Sequence, residues 1–171
     1  MSTTPRVPSA IDGAEPNFRT ILAHSPDLAA AFHRLYGTMW TDGIVDQALK
    51  ETVRMRNARV TDCAFCKQVR FDGARSAGLT EDQVEMIDDG FAASTLSPRQ
   101  KVALRFTDAF LNDPGSIGPD LRADLAAEFS EPEMVEIALA LSLFRAMAKV
   151  LISLGTEPEQ MDVTVLPTPF A

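Results

Sequence analysis

The chain has 171 residues, 46% of them hydrophobic, which is enough apolar material for one buried core and predicts a single domain over residues 1–171. Its formal net charge of -8 disfavours nucleic acid and anionic membranes as partners, because both would repel the protein. Two cysteines are too few for a secreted disulfide scaffold and fit a reducing compartment.

Residues 1–16 are predicted to form an N-terminal arm, because they contain three prolines and a glycine without a periodic apolar pattern. Such an arm could wrap a partner subunit. Its composition lacks the apolar core of a signal peptide, and no apolar run in the chain approaches the ~20 residues that span a bilayer. We therefore expect a cytoplasmic protein with no membrane partner.

Two amphipathic helices are predicted after the arm. Ser25 followed by Pro26 is a helix-start signature, and apolar residues then recur at helical spacing until Gly43. A second helix of about four turns carries its apolar residues from Val45 to Val60. It also carries Glu51, which the spacing alone assigns to an ion-pair network on a solvated face.

The third predicted helix contains both cysteines. Thr61 or Asp62 is expected to cap it, and it runs to Ala77 and ends at Gly78 as a left-handed cap. Both cysteines then lie in its first turn. Four later helix starts are marked by a proline or a capping signature: Thr80, Ser97, Pro119 and Ser130. No strand pattern competes, so we predict an all-α fold of about seven or eight helices.

The last long helix is predicted from about Glu131 to Leu154 and is apolar on more than one side. Such a helix must be central in the fold or buried against another subunit, which favours a homo-oligomer. Residues 156–171 follow it as a C-terminal tail. Neither a repeat nor a second domain is indicated.

The candidate chemistry lies at Cys63 and Cys66. Residues three apart on a helix lie on neighbouring lines of one face, so the two sulfurs can approach to disulfide distance. Arg70, four residues after Cys66, falls on the same face of the predicted helix. The helix N-terminus and the guanidinium both favour the reactive thiolate, so the pair can supply a nucleophile and a resolving thiol.

Other interpretations of the cysteine pair are weaker. A structural zinc site needs four ligands, but the two histidines, His24 and His33, lie far upstream on another helix. A thioredoxin-like site would follow a strand, which the helical pattern does not provide. Two unreactive buried thiols are the plain alternative. We therefore expect neither a metal nor an organic cofactor.

A family resemblance covers about residues 28 to 155 and rests on the segments at residues 49–54, 58–60, 63–66, 74–80, 96–104 and 129–136. In these segments the chain resembles the carboxymuconolactone decarboxylase family, and more closely its alkyl hydroperoxidase D-like (AhpD-like) branch. It implies an AhpD-like helical fold and a trimer or hexamer. It also implies thiol-dependent reduction of hydroperoxides, with an external dithiol, a lipoyl group or a thioredoxin-like protein, as reductant.

The resemblance also assigns roles to residues. Cys66 would be the peroxidatic thiol, Cys63 the resolving thiol, and Glu51, twelve residues before Cys63, part of a proton relay. The branch has a histidine where this chain has Arg70. Because arginine stays protonated, Arg70 is instead expected to stabilise the Cys66 thiolate, pair with Glu51 or hold an anionic substrate group.

Two other function classes remain open from the sequence. One is a lyase like the decarboxylases of the family, which would bind a small carboxylate through Arg70. The other is a non-enzymatic redox-responsive protein, in which disulfide formation changes the oligomer. Activity that survives loss of Cys66 would favour the lyase, and a change of size without peroxide turnover would favour the redox-responsive protein.

Overall fold

The computed structural model describes residues 4–170, and in that part of the chain helices dominate. The elements are α1 (Phe18–Leu22), α2 (Pro26–Thr41), α3 (Gln47–Thr61), α4 (Ala64–Gln68), β1 (Val69–Phe71), α5 (Asp72–Ser76), α6 (Glu81–Glu85), a 3-10 turn (Phe91–Ala93), α7 (Pro98–Asn112), α8 (Pro119–Glu128), α9 (Glu131–Leu154) and β2 (Thr164–Leu166). The predicted all-α fold is confirmed, although the described residues form nine α-helices rather than seven or eight.

Local capping signals set most helix starts. The Thr80 hydroxyl accepts the Gln83 N–H, and the Ser97 hydroxyl accepts the Gln100 N–H, at 3.2 Å in both cases. Each glutamine side chain returns a bond to the cap residue, which completes a capping box. The last helix covers Glu131–Leu154, as predicted.

Helix α9 is central and packs against α2, α3 and α7. Its inward face joins the largest hydrophobic cluster, whose large buried side chains include Trp40, Val53, Ile137, Leu141 and Phe144. By length and composition α9 could cross a bilayer, with a mean hydropathy of 1.9 and 33% of its most apolar window buried. A core helix passes the same test, so this property does not indicate a membrane.

Helix α3 is buried on nearly every side, although it is rich in charged residues. Two of its cations are paired with carboxylates of other helices: Lys50 lies 2.8 Å from Glu136, and Arg56 lies 2.6 Å from Asp108. Because an unpaired buried charge is costly, these pairs are what allow α3 to occupy the interior. Helix α3 is therefore a buried helix whose charged side chains lie inside an otherwise apolar core.

The predicted third helix is broken, which corrects the sequence-based interpretation. Helix α4 covers five residues only, and the chain then extends as β1 before α5 begins. Strand β1 pairs in parallel with β2 from the C-terminal tail, with Val69 opposite Thr164. Backbone pairing with the distant strand replaces the helical hydrogen bonds of residues 69–71. The prediction that no strand forms was wrong for these two short segments.

The N-terminal arm lies against its own chain. The Arg6 guanidinium donates to the carbonyls of Ile152 and Ser153 at 2.8 and 2.6 Å, and the Arg6 N–H donates to Leu154. These carbonyls belong to the last turn of α9, where the helix itself cannot satisfy them, and that of Ile152 also accepts the N–H of the C-cap residue Gly155 at 3.2 Å. The described part of the arm thus caps α9, an arrangement that the sequence did not predict.

Candidate redox site

Cys63 occupies the N-cap of helix α4. Helix α3 ends at Thr61, and Asp62 adopts a left-handed conformation with φ of 56° that turns the chain. The cap is therefore Cys63 itself and not Thr61 or Asp62, which corrects the prediction. Cysteine fits this position because its sulfur can accept a hydrogen bond from the first helical turn.

The two cysteines form a disulfide, as their spacing predicted. Their Cα atoms lie 5.2 Å apart, and the Cys66 N–H donates to the Cys63 sulfur at 3.2 Å. Both residues are buried, Cys63 with 0% and Cys66 with 8% of its surface exposed. Cys66 is thus the more accessible of the two at the first turn of α4.

The disulfide lies in a small apolar cluster between the C-terminal parts of α3 and α9. The cluster is completed by Ala58, Ala148 and Leu151, with Phe18, Phe65, Met147 and Ile152 packed at its edge. Two of the buried neighbours are alanines, which leave room for the sulfurs between the helices. The apolar surroundings exclude water from the disulfide and strengthen nearby electrostatic interactions.

A buried ion pair lies beside the cysteines. The Arg54 guanidinium holds Glu51 with two bonds of 2.6 and 2.7 Å, and Glu51 has 0% of its surface exposed. The same guanidinium donates to the carbonyl of Cys66 at 3.0 Å and to that of Val69 at 2.6 Å. It also lies over the Phe71 ring, 5.1 Å from its centroid. The solvated position expected for Glu51 from spacing alone was wrong.

Arg54 was not identified from the sequence. The signal that could have found it is its position three residues after Glu51, which places both on one face of α3. Through Arg54, Glu51 is connected to the backbone of Cys66. The structure therefore links the predicted acid to the predicted nucleophile by way of a cation.

The environment of this pair affects nearby titrations. Burial tends to lower the pKa of Arg54, but the adjacent Glu51 carboxylate outweighs burial, so the pKa is raised. Burial raises the pKa of Tyr36 to about 12, partly opposed by the nearby Arg54 cation. Both groups therefore keep their protons at neutral pH, with Arg54 as a fixed cation and Tyr36 as a neutral phenol.

Arg70 lies elsewhere than predicted. Because residue 70 belongs to β1, it does not share a helical face with Cys66. Its guanidinium pairs with Glu81 at 3.1 Å and donates to the Lys67 carbonyl at 2.7 Å, with 4% of the residue exposed. The expected pairing of Arg70 with Glu51 was wrong, since the cation beside Glu51 is Arg54.

A second carboxylate reaches the cysteine segment from the C-terminal tail. The Glu157 carboxylate accepts the N–H of Ala64, the first residue of α4, at 2.5 Å. The two residues are 93 positions apart, and no local pattern in the sequence predicted the contact. Within residues 4–170, no three His, Cys, Asp or Glu side chains are grouped as a metal site would require.

Comparison with known proteins agrees with the resemblance. The model of the carboxymuconolactone decarboxylase family matches residues 26–109. Two uncharacterised proteins of Mycobacterium tuberculosis are 31% identical over 140 residues, which is 81% of this chain and 49% of theirs. The uncharacterised protein YdfG of Bacillus subtilis is 22% identical over 112 residues, 65% of this chain and 76% of its own. This chain thus spans about half the length of the mycobacterial relatives.

Solved structures show the same fold. The debrominase Bmp8 in complex with 2,3,4-tribromopyrrole matches with a TM-score of 0.73 and 18% identity, covering 94% of both chains. A peroxidase-related protein of Silicibacter sp. matches with a TM-score of 0.70 and 17% identity, covering 91% of this chain and 94% of its own. An alkylhydroperoxidase AhpD core protein of Ralstonia eutropha matches with a TM-score of 0.66 and 21% identity, covering 87% of this chain and 80% of its own. Residues 26–109 therefore belong to the carboxymuconolactone decarboxylase family, and the chain has the AhpD-like fold.

Proposed function

We propose that this protein is a thiol-dependent oxidoreductase that reduces a hydroperoxide through a cycle of its Cys63–Cys66 disulfide. One observation carries the proposal: the pair is bonded at the N-terminus of a helix, in an apolar site next to a fixed cation. Helix N-termini and nearby cations favour thiolates. Membership of an enzyme family supports an enzymatic role.

In the proposed cycle the Cys66 thiolate attacks the peroxide. Its sulfur bonds to the terminal oxygen, which keeps its hydrogen, and the O–O bond breaks. The alkoxide takes up a proton from solvent and leaves as the alcohol, so that Cys66 becomes a sulfenic acid. The Cys63 sulfur then attacks that of Cys66 and releases water, which forms the disulfide. The greater exposure of Cys66 supports its role as the first nucleophile. An external dithiol, a lipoyl group or a thioredoxin-like protein, returns both residues to thiols.

Glu51 is assigned to this reaction as a positioning residue that acts through Arg54. It fixes the guanidinium, which in turn holds the Cys66 carbonyl. The earlier role of Glu51 as a direct proton relay is less favoured, because Arg54 occupies both of its carboxylate oxygens. Arg70 has no role at the thiols in this proposal, since its contacts are with Glu81 and backbone carbonyls.

The test is stopped-flow oxidation of the reduced protein by hydrogen peroxide and by an organic hydroperoxide. In wild type we expect rapid loss of both thiols. Cys66→Ser should abolish the reaction, and Cys63→Ser should accumulate a sulfenic acid, because the resolving thiol is absent. Wild-type oxidation no faster than that of a free thiol would contradict the peroxidase proposal.

A second candidate is suggested by the fold match with a debrominase. Oxidation of the thiol pair to the disulfide provides two electrons, which could replace a carbon-bound bromine by hydrogen and release bromide. Incubation of the reduced protein with tribromopyrrole would distinguish the candidates by bromide release. A matched Cys66→Ser control identifies release that does not depend on the thiols.

The lyase alternative is less favoured than the thiol chemistry. Arg70, its candidate carboxylate anchor, is 4% exposed and already paired with Glu81. The non-enzymatic alternative is tested by gel filtration of the oxidised and reduced protein. A redox-dependent change of size in the absence of peroxide turnover would favour it over the enzyme.

A homo-oligomer, by resemblance a trimer or hexamer, is the proposed assembly. Large apolar side chains are exposed along α2 and α9: Leu28 (71%), Leu35 (57%), Val135 (60%) and Leu139 (60%). An apolar surface of this kind is typical of a subunit interface. Light scattering should give a mass above 18.6 kDa that falls for Leu139→Glu, and a monomeric wild type would contradict the proposal.

A further inference from the structure

The residues after helix α9 run back along the cysteine segment. Gly155 ends the helix in a left-handed conformation with φ of 67° and redirects the chain. Residues 156–168, which we call the strap, then follow residues 64–73 in the same direction, since β2 pairs in parallel with β1. The strap therefore lies alongside helix α4 and the strand that follows it.

Glu157 fastens the first part of the strap. Its carboxylate accepts the Ala64 N–H at 2.5 Å, and Ala64 stands between the two cysteines in the chain. An N–H in the first turn has no acceptor within its helix, so Glu157 supplies the partner that α4 itself lacks. Hydrogen bonds to a carboxylate are stronger than those between neutral groups.

Thr168 fastens the end of the strap. Its hydroxyl accepts the Gly73 N–H at 2.9 Å, and its N–H donates to the Asp72 carboxylate at 2.8 Å. A Cβ atom at Gly73 would lie 2.5 Å from the Thr168 hydroxyl oxygen, so the absence of a side chain is what admits the threonine. These two side-chain contacts fasten the strap at either end of the short sheet, in addition to the backbone pairing of β2 with β1.

The strap is more exposed than the cysteine pair beside which it runs. None of residues 156–168 is buried, whereas Cys63 and Cys66 are 0% and 8% exposed. A depression of about 580 Å³ is bordered by Phe65 and Glu157, but neither cysteine lines it. Met161 and Leu166 of the strap pack against the main hydrophobic cluster, but neither is fully buried. Such a segment detaches at lower cost than the core unfolds.

We propose that the strap controls access to the Cys63–Cys66 disulfide, with Glu157 and Thr168 as its two fastening residues. The inference rests on the proposed disulfide cycle. In the reductive step, a thiolate of an external dithiol attacks one sulfur and displaces the other as a thiolate, which takes up a proton. The second thiol of the reductant then resolves the mixed disulfide, so two electrons and two protons reach the pair. Detachment of the strap precedes this attack.

The test measures how fast the disulfide of the oxidised full-length protein is reduced by dithiothreitol and by thioredoxin. Glu157→Ala should accelerate reduction about tenfold, because the loss of one charge-assisted bond favours the detached strap. Thr168→Val should accelerate it in the same direction while leaving the charge unchanged. The acceleration of disulfide reduction should be larger with thioredoxin than with dithiothreitol, since a protein needs a wider opening than a small molecule.

The matched control is Glu131→Ala, which removes the same charge at the opposite end of the 24-residue helix α9. Its reduction rate should equal that of wild type. Acceleration by Glu157→Ala alone would overturn the proposal, because it would indicate charge repulsion of the attacking thiolate instead of a cover. Unchanged rates in both variants would overturn it as well. No peroxide is used, so the result is independent of the peroxidase test.

Discussion

Breaking the Glu51–Arg54 pair should destabilise the protein far more than breaking an exposed pair. Arg54→Met leaves the carboxylate of Glu51, which is 0% exposed, without a counter-charge. Removing one partner of a buried ion pair costs about 3–5 kcal/mol. The Cys66 carbonyl also loses the Arg54 donor, which adds about 1–3 kcal/mol for a group left unsatisfied. The Val69 carbonyl loses Arg54 as well but keeps the Arg70 guanidinium at 3.0 Å. These losses are a large part of the free energy of unfolding of a typical domain, which is ~5–15 kcal/mol.

A double-mutant cycle with Glu51→Gln isolates the interaction. The double variant contains no unpaired buried charge, so its loss of stability should be smaller than the sum of the single losses by at least about 2 kcal/mol. Urea unfolding can be followed by the fluorescence of Trp40, the single tryptophan, which is 1% exposed. The free energies of unfolding of all four proteins give the coupling directly.

The exposed pair of Arg105 and Asp124, with side chains 43% and 47% exposed, serves as the control. The corresponding cycle with Arg105→Met and Asp124→Asn should give a coupling below about 1 kcal/mol. If the Glu51–Arg54 coupling were equally small, the reasoning that treats this pair as desolvated would be refuted.

Two further predictions concern the ends of α9 and of the strap. Gly155→Ala should destabilise the protein more than Gly78→Ala. Both glycines have a positive φ, but only at Gly155 would the new Cβ collide with the Thr4 carbonyl. The midpoint of thermal unfolding should therefore be lower for Gly155→Ala. The Thr168 hydroxyl and N–H lower the pKa of Asp72, so this contact contributes stability at neutral pH and loses it as pH falls through the lowered value. The Thr168 amide resonance should titrate below pH ~3.9, and a higher midpoint would contradict the contact.

Helix boundaries were predictable where the determining residues are close in the chain. A capping box involves residues three apart, so Ser97 and Ser130 identify helix starts without any tertiary information. The long apolar helix Glu131–Leu154 was likewise evident from its own composition. The pairing of Cys63 with Cys66 was predictable for the same reason.

The position of Arg70 was not predictable, because it depends on a distant segment. Residues 69–71 continue a helical pattern locally, but in the fold they pair with a strand from the tail, with Arg70 opposite Val165. An extended backbone alternates its side chains, so the four-residue spacing from Cys66 loses its helical meaning. The prediction that Arg70 lies on the same helical face as Cys66 therefore failed, because β1 begins at Val69.

The spacing between Glu51 and Cys63 was enough to select Glu51 as a site residue but not to predict its environment. Its distance from Cys63 identified the residue, but burial decides what the carboxylate can do. A helix that carries Lys50, Glu51, Arg54 and Arg56 has no fully apolar side, so if it lies in the interior its charges must find partners. Those partners come from α3 itself and from α7 and α9. The density of charge on a central helix thus predicts a buried ion-pair network.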